Sequence, residues 1–275
     1  MVLAGAVVFA ASGLAGCTAS GPRSLPEAEP VPGPTEAGSI LGEWASVDTL
    51  SQTFEVGDGE VIESQTLFVH LSISDSTWTE TIVSSGSHGL GATPYTGRQA
   101  TLAYRVSGDS VTVDYAPPVA PVRGTAIVRE DTLTVEVRLE RGETIRQRFV
   151  QSEPLRVPPA LLGFWVGLSE PDAAGVPAEL GFRFHADGTF ENGWGEPEGT
   201  FVVAGPYLLM RNARGSGALS GETGDAETDA LLASLFDRVA EMDLDPAFEA
   251  EPGVVVPALR LGAGGEAVVL FRRSP

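Results

Sequence analysis

Leu133-Thr134-Val135-Glu136-Val137-Arg138-Leu139 sets an apolar side chain at every second position and a polar one between. Side chains of an extended chain point alternately to opposite faces, so this stretch predicts a strand with one face in a core and one in water. The same alternation extends outward in both directions. Leu67, Val69, Leu71 and Ile73 share a face, as do Leu102, Tyr104 and Val106. Val111, Val113 and Tyr115 follow the turn Ser107-Gly108-Asp109-Ser110, and Ile145, Gln147 and Phe149 follow Arg141-Gly142-Glu143. Short alternating runs separated by Gly/Asp turns predict an antiparallel meander.

The second half of the chain repeats this plan. Leu41-Gly42-Glu43-Trp44 returns as Leu162-Gly163-Phe164-Trp165, and Ser74-Asp75-Ser76-Thr77-Trp78 as Ala186-Asp187-Gly188-Thr189-Phe190. Tyr104-Arg105-Val106-Ser107-Gly108 returns as Phe201-Val202-Val203-Ala204-Gly205. Gly142-Glu143 before Phe149 matches Gly265-Glu266 before Phe271. Four landmarks in one order predict an internal duplication, with loops free to change length. The Pro-rich link Glu153-Pro154-Leu155-Arg156-Val157-Pro158-Pro159 marks the boundary, giving domains over 39–153 and 158–275. One helix is expected, about 228–242. Thr228 can cap a run in which Leu231, Leu232, Leu235, Phe236, Val239 and Met242 share a face, and Asp245-Pro246 ends it. Such a helix would serve either as a plug on a barrel end or as a lid over a ligand cavity.

Composition narrows the function classes. The chain has 275 residues, 37 acidic against 17 basic, all arginine, and a net charge of −20. A surface this acidic repels nucleic acid and anionic headgroups, so nucleic acid is excluded as a partner. With 33 Gly and 20 Pro the chain is rich in turns, as an all-β fold requires. Cys17 is the only cysteine, which leaves the folded part without a disulfide, a thiolate nucleophile or a cysteine metal site.

Cys17 closes an uncharged apolar run, residues 2–16. A helix of that length reaches roughly 22 Å, short of a hydrocarbon core of about 30 Å, so it reads as a signal-peptide core and not a membrane span. Its end, Leu14-Ala15-Gly16-Cys17, resembles the lipobox of bacterial lipoproteins. That resemblance implies a signal peptide over 1–16, acyl chains on Cys17, and a membrane partner reached through the lipid. Thr18 after the cysteine, where Asp would retain the protein, implies the outer membrane in a Gram-negative cell. Residues 17–38 carry Pro22, Pro26, Pro30, Pro32 and Pro34 and predict a semi-extended tether. The folded part is expected outside the cytoplasm, in the cell envelope.

Gly42-x-Trp44 and Gly163-x-Trp165 resemble the opening of small bacterial lipocalin-like domains. The resemblance implies two antiparallel meander barrels or half-barrels in which the Trp seals one end. It also implies a cation from the last strand over the indole: Arg146 or Arg148 over Trp44, Arg272 or Arg273 over Trp165. These residues are structural. Members of the family sometimes hold a small apolar ligand, and an envelope protein is the other partner expected.

No motif specifies a reaction. His70, His88 and His185 are isolated and are expected at surfaces or turns. Ser85-Gly86-Ser87-His88-Gly89 is not Gly-x-Ser-x-Gly. Gly262-Ala263-Gly264-Gly265 precedes no helix, and Glu222–Asp229 lacks the oxygen spacing of a calcium loop. The expected protein is a non-catalytic envelope lipoprotein with no catalytic residue, metal or cofactor. The alternative is an exported hydrolase with an unrecognised site.

Overall fold

The computed structural model describes residues 39–56, 60–86, 95–114, 122–138, 144–171, 177–212, 238–252, 254–263 and 266–272. Among them every regular element is a strand except one 3-10 turn, Pro159–Leu161. Described residues up to 86, with Ala100–Glu153, group in one compact unit; residues 95–99 and Pro154 onward group in a second.

The first unit contains β1 (Gly42–Ser46), β2 (Leu50–Val56), β3 (Glu60–Ile73), β4 (Thr77–Gly86), β5 (Tyr95–Ser107) from Ala100 onward, β6 (Ser110–Asp114), β7 (Val122–Arg129), β8 (Thr132–Arg138) and β9 (Thr144–Gln151). Neighbours in sequence are neighbours in the sheet from β2 to β9. The five-residue β1 closes the ring by pairing with both β3 and β9, so eight strands form a barrel and β2 extends outside it on β3. The period-two reading locates the core. Leu133, Val135 and Val137 of β8 are at most 1% exposed, and face inward with Val69, Leu71, Val111, Val113, Trp44, Trp78 and Phe149. Each such side chain contributes about 1.5–3 kcal/mol by leaving water.

The second unit is a closed barrel of β10 (Gly163–Pro171), β11 (Pro177–Phe184), β12 (Thr189–Asn192), β13 (Pro197–Ala204), β14 (Tyr207–Asn212), β15 (Arg238–Glu251), β16 (Val254–Ala263) and β17 (Glu266–Arg272). Trp165, Phe184, Phe190, Phe201, Leu208, Leu259 and Leu270 fill it. Phe184 and Phe201 meet edge to face at 5.0 Å. Residues 95–99 at the start of β5 belong to this unit. Tyr95 Oη donates to Glu241 Oε1 at 2.6 Å, and its ring meets Tyr207 at 5.6 Å.

Registers make the repetition explicit. Trp44 lies opposite Leu71 and Gln151; Trp165 lies opposite Phe182 and Arg272. Trp78 and Phe190 open the inner faces of β4 and β12, and the following hairpins turn at Gly108 (φ 60°) and Gly205 (φ 59°). One sequence correspondence shifts by a residue. Phe149, opposite Ser46, matches the buried Leu270 opposite Gly167, whereas Phe271 faces outward.

The barrel ends share one device. Trp44 Nε1 donates to the Ile40 carbonyl at 2.8 Å and Trp165 Nε1 to the Leu161 carbonyl at 2.7 Å, each four residues back. That return requires the glycine between them, at φ +129° for Gly42 and +116° for Gly163. Two of the expected cations are held elsewhere: Arg148 pairs with Asp48 at 2.7 Å and Arg146 with Glu136, both on exposed faces, because their strand positions point outward. Arg272 lies opposite Trp165 and returns to its barrel end, where its guanidinium donates to the Leu162 carbonyl at 2.9 Å beside Gly163. Arg273 lies outside the described residues.

The helix expected over 228–242 is not found. Arg238–Met242 begin β15, and residues 228–237 lie outside the described residues. Ala240, Met242 and Leu244 alternate with Val239, Glu241 and Asp243, and Met242 and Leu244 lie opposite the inward Leu261 and Leu259. Asp245-Pro246, expected to terminate a helix, sits at a register shift within the strand, where the missing proline N–H breaks no ladder. Asp245 Oδ1 accepts from the Ala247 N–H there at 3.0 Å.

Gly42→Ala and Gly163→Ala are each expected to lower stability by about 1–3 kcal/mol, since a Cβ is strained at those φ values. Gly108→Asn, at an angle asparagine tolerates, is expected to cost less. Chemical denaturation midpoints of the three variants check the order.

Candidate functional site

The described sequence-predicted residues, Gly42, Trp44, Gly163 and Trp165, occupy the barrel ends described above and serve structure. Cys17 and His88 lie outside the described residues.

His70 is not a surface histidine; it is 4% exposed. It lies on the outer face of β3, opposite Ala45 and Thr81, where the chain leaving β9 covers it. Its Nε2 lies 3.3 Å from the Glu153 carbonyl and 3.6 Å from Glu43 Oε2. Ser72 Oγ donates to Glu43 Oε1 at 2.7 Å, and the Ser152 N–H donates to the Glu43 carbonyl at 2.9 Å. Burial holds the imidazole pKa below its ordinary value, against the opposing pull of the Glu153 carbonyl and the Glu43 carboxylate. A hydroxyl, a carboxylate and an imidazole thus meet, but in the wrong order for nucleophilic catalysis. The hydroxyl bonds the carboxylate, and no bond from it to the imidazole is formed that would remove its proton. The cluster fastens the end of the first barrel's chain to its wall.

Polar groups also occur on the inward faces of the first barrel. Glu80 of β4, opposite Leu71, is fully buried. Gln147 of β9, opposite Val135, is fully buried and neither its Oε1 nor its Nε2 has a hydrogen-bond partner. Sequence alternation placed Gln147 among inward positions without distinguishing it. The signal was there: an amide in the apolar register between Ile145 and Phe149.

In the second barrel His185 opens the β11–β12 turn, with Nε2 3.2 Å from Glu191 Oε1. Asp187 beside it accepts from the Thr189 hydroxyl at 2.6 Å and backbone N–H at 2.9 Å, and these bonds hold its carboxyl below the usual range. This is a turn clasp in which Asp187 is exposed and His185, Thr189 and Glu191 are half-buried. Among the described residues, no group of three or more His, Cys, Asp or Glu is placed to hold a metal.

One residue that the sequence reading passed over stands apart. Trp194 is 91% exposed, while Trp44, Trp78 and Trp165 are at most 1% exposed. The β12–β13 turn holds it firmly. Asn192 Oδ1 accepts from the N–H groups of Trp194 at 3.0 Å and Glu196 at 3.1 Å, and Gly195 supplies φ +78°. The string Asn192-Gly193-Trp194-Gly195 carried the signal, since turn formers around an indole put it at a tip. Comparison with family models, curated proteins and solved structures finds no match to this chain.

Two outcomes follow. Because the folded His70 pKa lies below 6.5, the unfolded chain binds its proton first. The His70 contribution to stability is therefore expected to be level above pH 6.5 and to fall as pH drops from 6.5 toward the folded value. In His70→Gln that segment of the pH–stability curve should flatten. Gln147→Leu removes a buried amide without partners and is expected to raise stability by about 1–3 kcal/mol, read as a higher denaturant midpoint.

Proposed function

We propose that this protein is a non-catalytic cell-envelope lipoprotein, held to a membrane by acyl chains on Cys17. On this reading its two lipocalin-like barrels work through their outer surfaces. The observation that carries the choice is the filling of both barrels. Trp44, Trp78 and Phe149 in one, and Trp165, Phe184 and Phe190 in the other, are essentially inaccessible and occupy the space an apolar cargo would need. Interiors packed by their own side chains favour contact with a membrane or an envelope protein over carriage of a small apolar ligand. The run over residues 2–16 ending at Leu14-Ala15-Gly16-Cys17 supports the anchor, and the Pro-rich stretch to residue 38 supports a tether that holds the barrels outside the cytoplasm. In a Gram-negative cell, Thr18 favours the outer membrane.

Two or three acyl chains, at about 0.8 kcal/mol per buried CH₂, hold a protein where one chain would be marginal. Replacing Cys17 by Ser is accordingly expected to abolish globomycin-sensitive processing and to move the protein from the membrane to the soluble fraction. A variant that stays membrane-bound would overturn the anchor. Native mass spectrometry of the wild-type protein is expected to give the mass of the acylated chain without a co-purifying apolar molecule.

A further inference from the structure

We infer that one outer face of the second barrel rests on the zwitterionic headgroup layer of the membrane; this rests on the Cys17 anchor proposed above. The face is a continuous apolar row across neighbouring strands. Gly193, next to Trp194, approaches Gly181 so closely that a Cβ on Gly181 would come within 2.8 Å of its Cα and 3.2 Å of the Phe164 ring. Gly181 lies opposite Val166, and Val166 opposite Phe271. Phe271, 36% exposed, packs at 5.7 Å against Phe248. The row runs from the turn that carries Trp194 to the Phe271–Phe248 pair, with Arg183 over Phe164 and Arg260 over Phe248 at its margins.

The fold does not dictate this row. At the same places in the first barrel, Glu43 lies opposite Ser72 and Ala45 opposite His70, where the second has Phe164 opposite Arg183 and Val166 opposite Gly181. One barrel covers a polar cluster with its own chain; the other exposes aromatic rings at the equivalent wall.

Charge selects the occupant. Arg183 lies 5.6 Å from the centre of the Phe164 ring, and Arg260 lies 5.2 Å from that of Phe248. Carboxylates stand beside them: Glu191 is 3.8 Å from Arg183, and Asp243 lies opposite Arg260. A zwitterionic headgroup matches both signs, with its phosphate toward guanidinium and its amine toward carboxylate. Indole and phenyl rings settle in the same interfacial layer. A closed barrel has no free strand edge, so side chains and not backbone pairing must make the contact.

The experiment uses the full-length acylated chain in vesicles of phosphatidylethanolamine and phosphatidylcholine with acyl chains brominated near the headgroup. Trp194 reports selectively, because the other three indoles are buried. Its emission should shift to the blue and be quenched by the bromolipid, and Trp194→Phe should lose the quenchable component. Phe271→Asp should stay on the vesicles through Cys17 yet leave Trp194 open to aqueous iodide. A chain that floats with the vesicles while its Trp194 remains unshifted and iodide-accessible would overturn the docking face and leave the anchor standing. A chain that does not float overturns the anchor and this inference with it. Trp194 already shielded without lipid, in a sedimenting dimer, would assign the face to a second copy and overturn the inference.

Discussion

Closing eight strands into a ring leaves a lumen about wide enough for side chains, and that lumen has to be filled. Nearly every other feature of this protein follows from that constraint. It fixes the alternation along each strand, because a shift by one residue would turn the apolar set outward. It calls for the largest side chains at the barrel ends. Trp44 and Trp165 each satisfy a buried indole N–H with a carbonyl of the chain entering the barrel. It also explains the glycine two residues before each tryptophan. Only a residue free at positive φ lets the chain return close enough for that bond.

A filled lumen leaves the outer walls as the surface open to contact. The polar groups inside the first barrel do not reverse this. Glu80 and Gln147 are fully buried, and Gln147 lacks hydrogen-bond partners. Outside, the groups that resemble catalytic constellations are held in structural bonds. His70 is committed to the Glu153 carbonyl and Glu43, and Asp187 in the turn after His185 to Thr189. What remains for recognition is surface shape, exposed aromatics and the pairing of signs.

The architecture was largely legible because alternation, turn glycines and a repeated Gly-x-Trp are local signals. The antiparallel order of Thr132–Arg138 and its neighbours could be read from period two, whereas closure into barrels was what the Gly-x-Trp resemblance implied. Where the expected helix overlaps the described residues, at Arg238–Met242, a strand stands in its place for a physical reason. Val239 and Met242 fit a helical stripe, yet Ala240-x-Met242-x-Leu244 also fits an inward strand face, and pairing with β14 and β16 decided between them. His70 was misplaced because sequence tells which face a residue occupies, not whether another segment covers that face. Arg146 and Arg148 were misplaced by the same limit. Their outward positions were readable, but not the nearby Glu136 and Asp48 carboxylates that hold them there.

Duplication offers a comparison that a single barrel could not. The two units keep the same inner solution, with Trp44 answered by Trp165, Trp78 by Phe190 and Phe149 by Leu270. Their outer walls diverge at matching positions. Glu43 and His70 in one correspond to Phe164 and Gly181 in the other. Inner positions answer to packing, so substitutions there are confined to side chains that refill the lumen. Outer positions carry no such demand, and an apolar row exposed to water gains nothing for the fold of its own barrel. The first barrel covers its polar wall with its own chain at Glu153, whereas the matching wall of the second carries Phe164 and Val166, so the two copies differ outside where they agree inside.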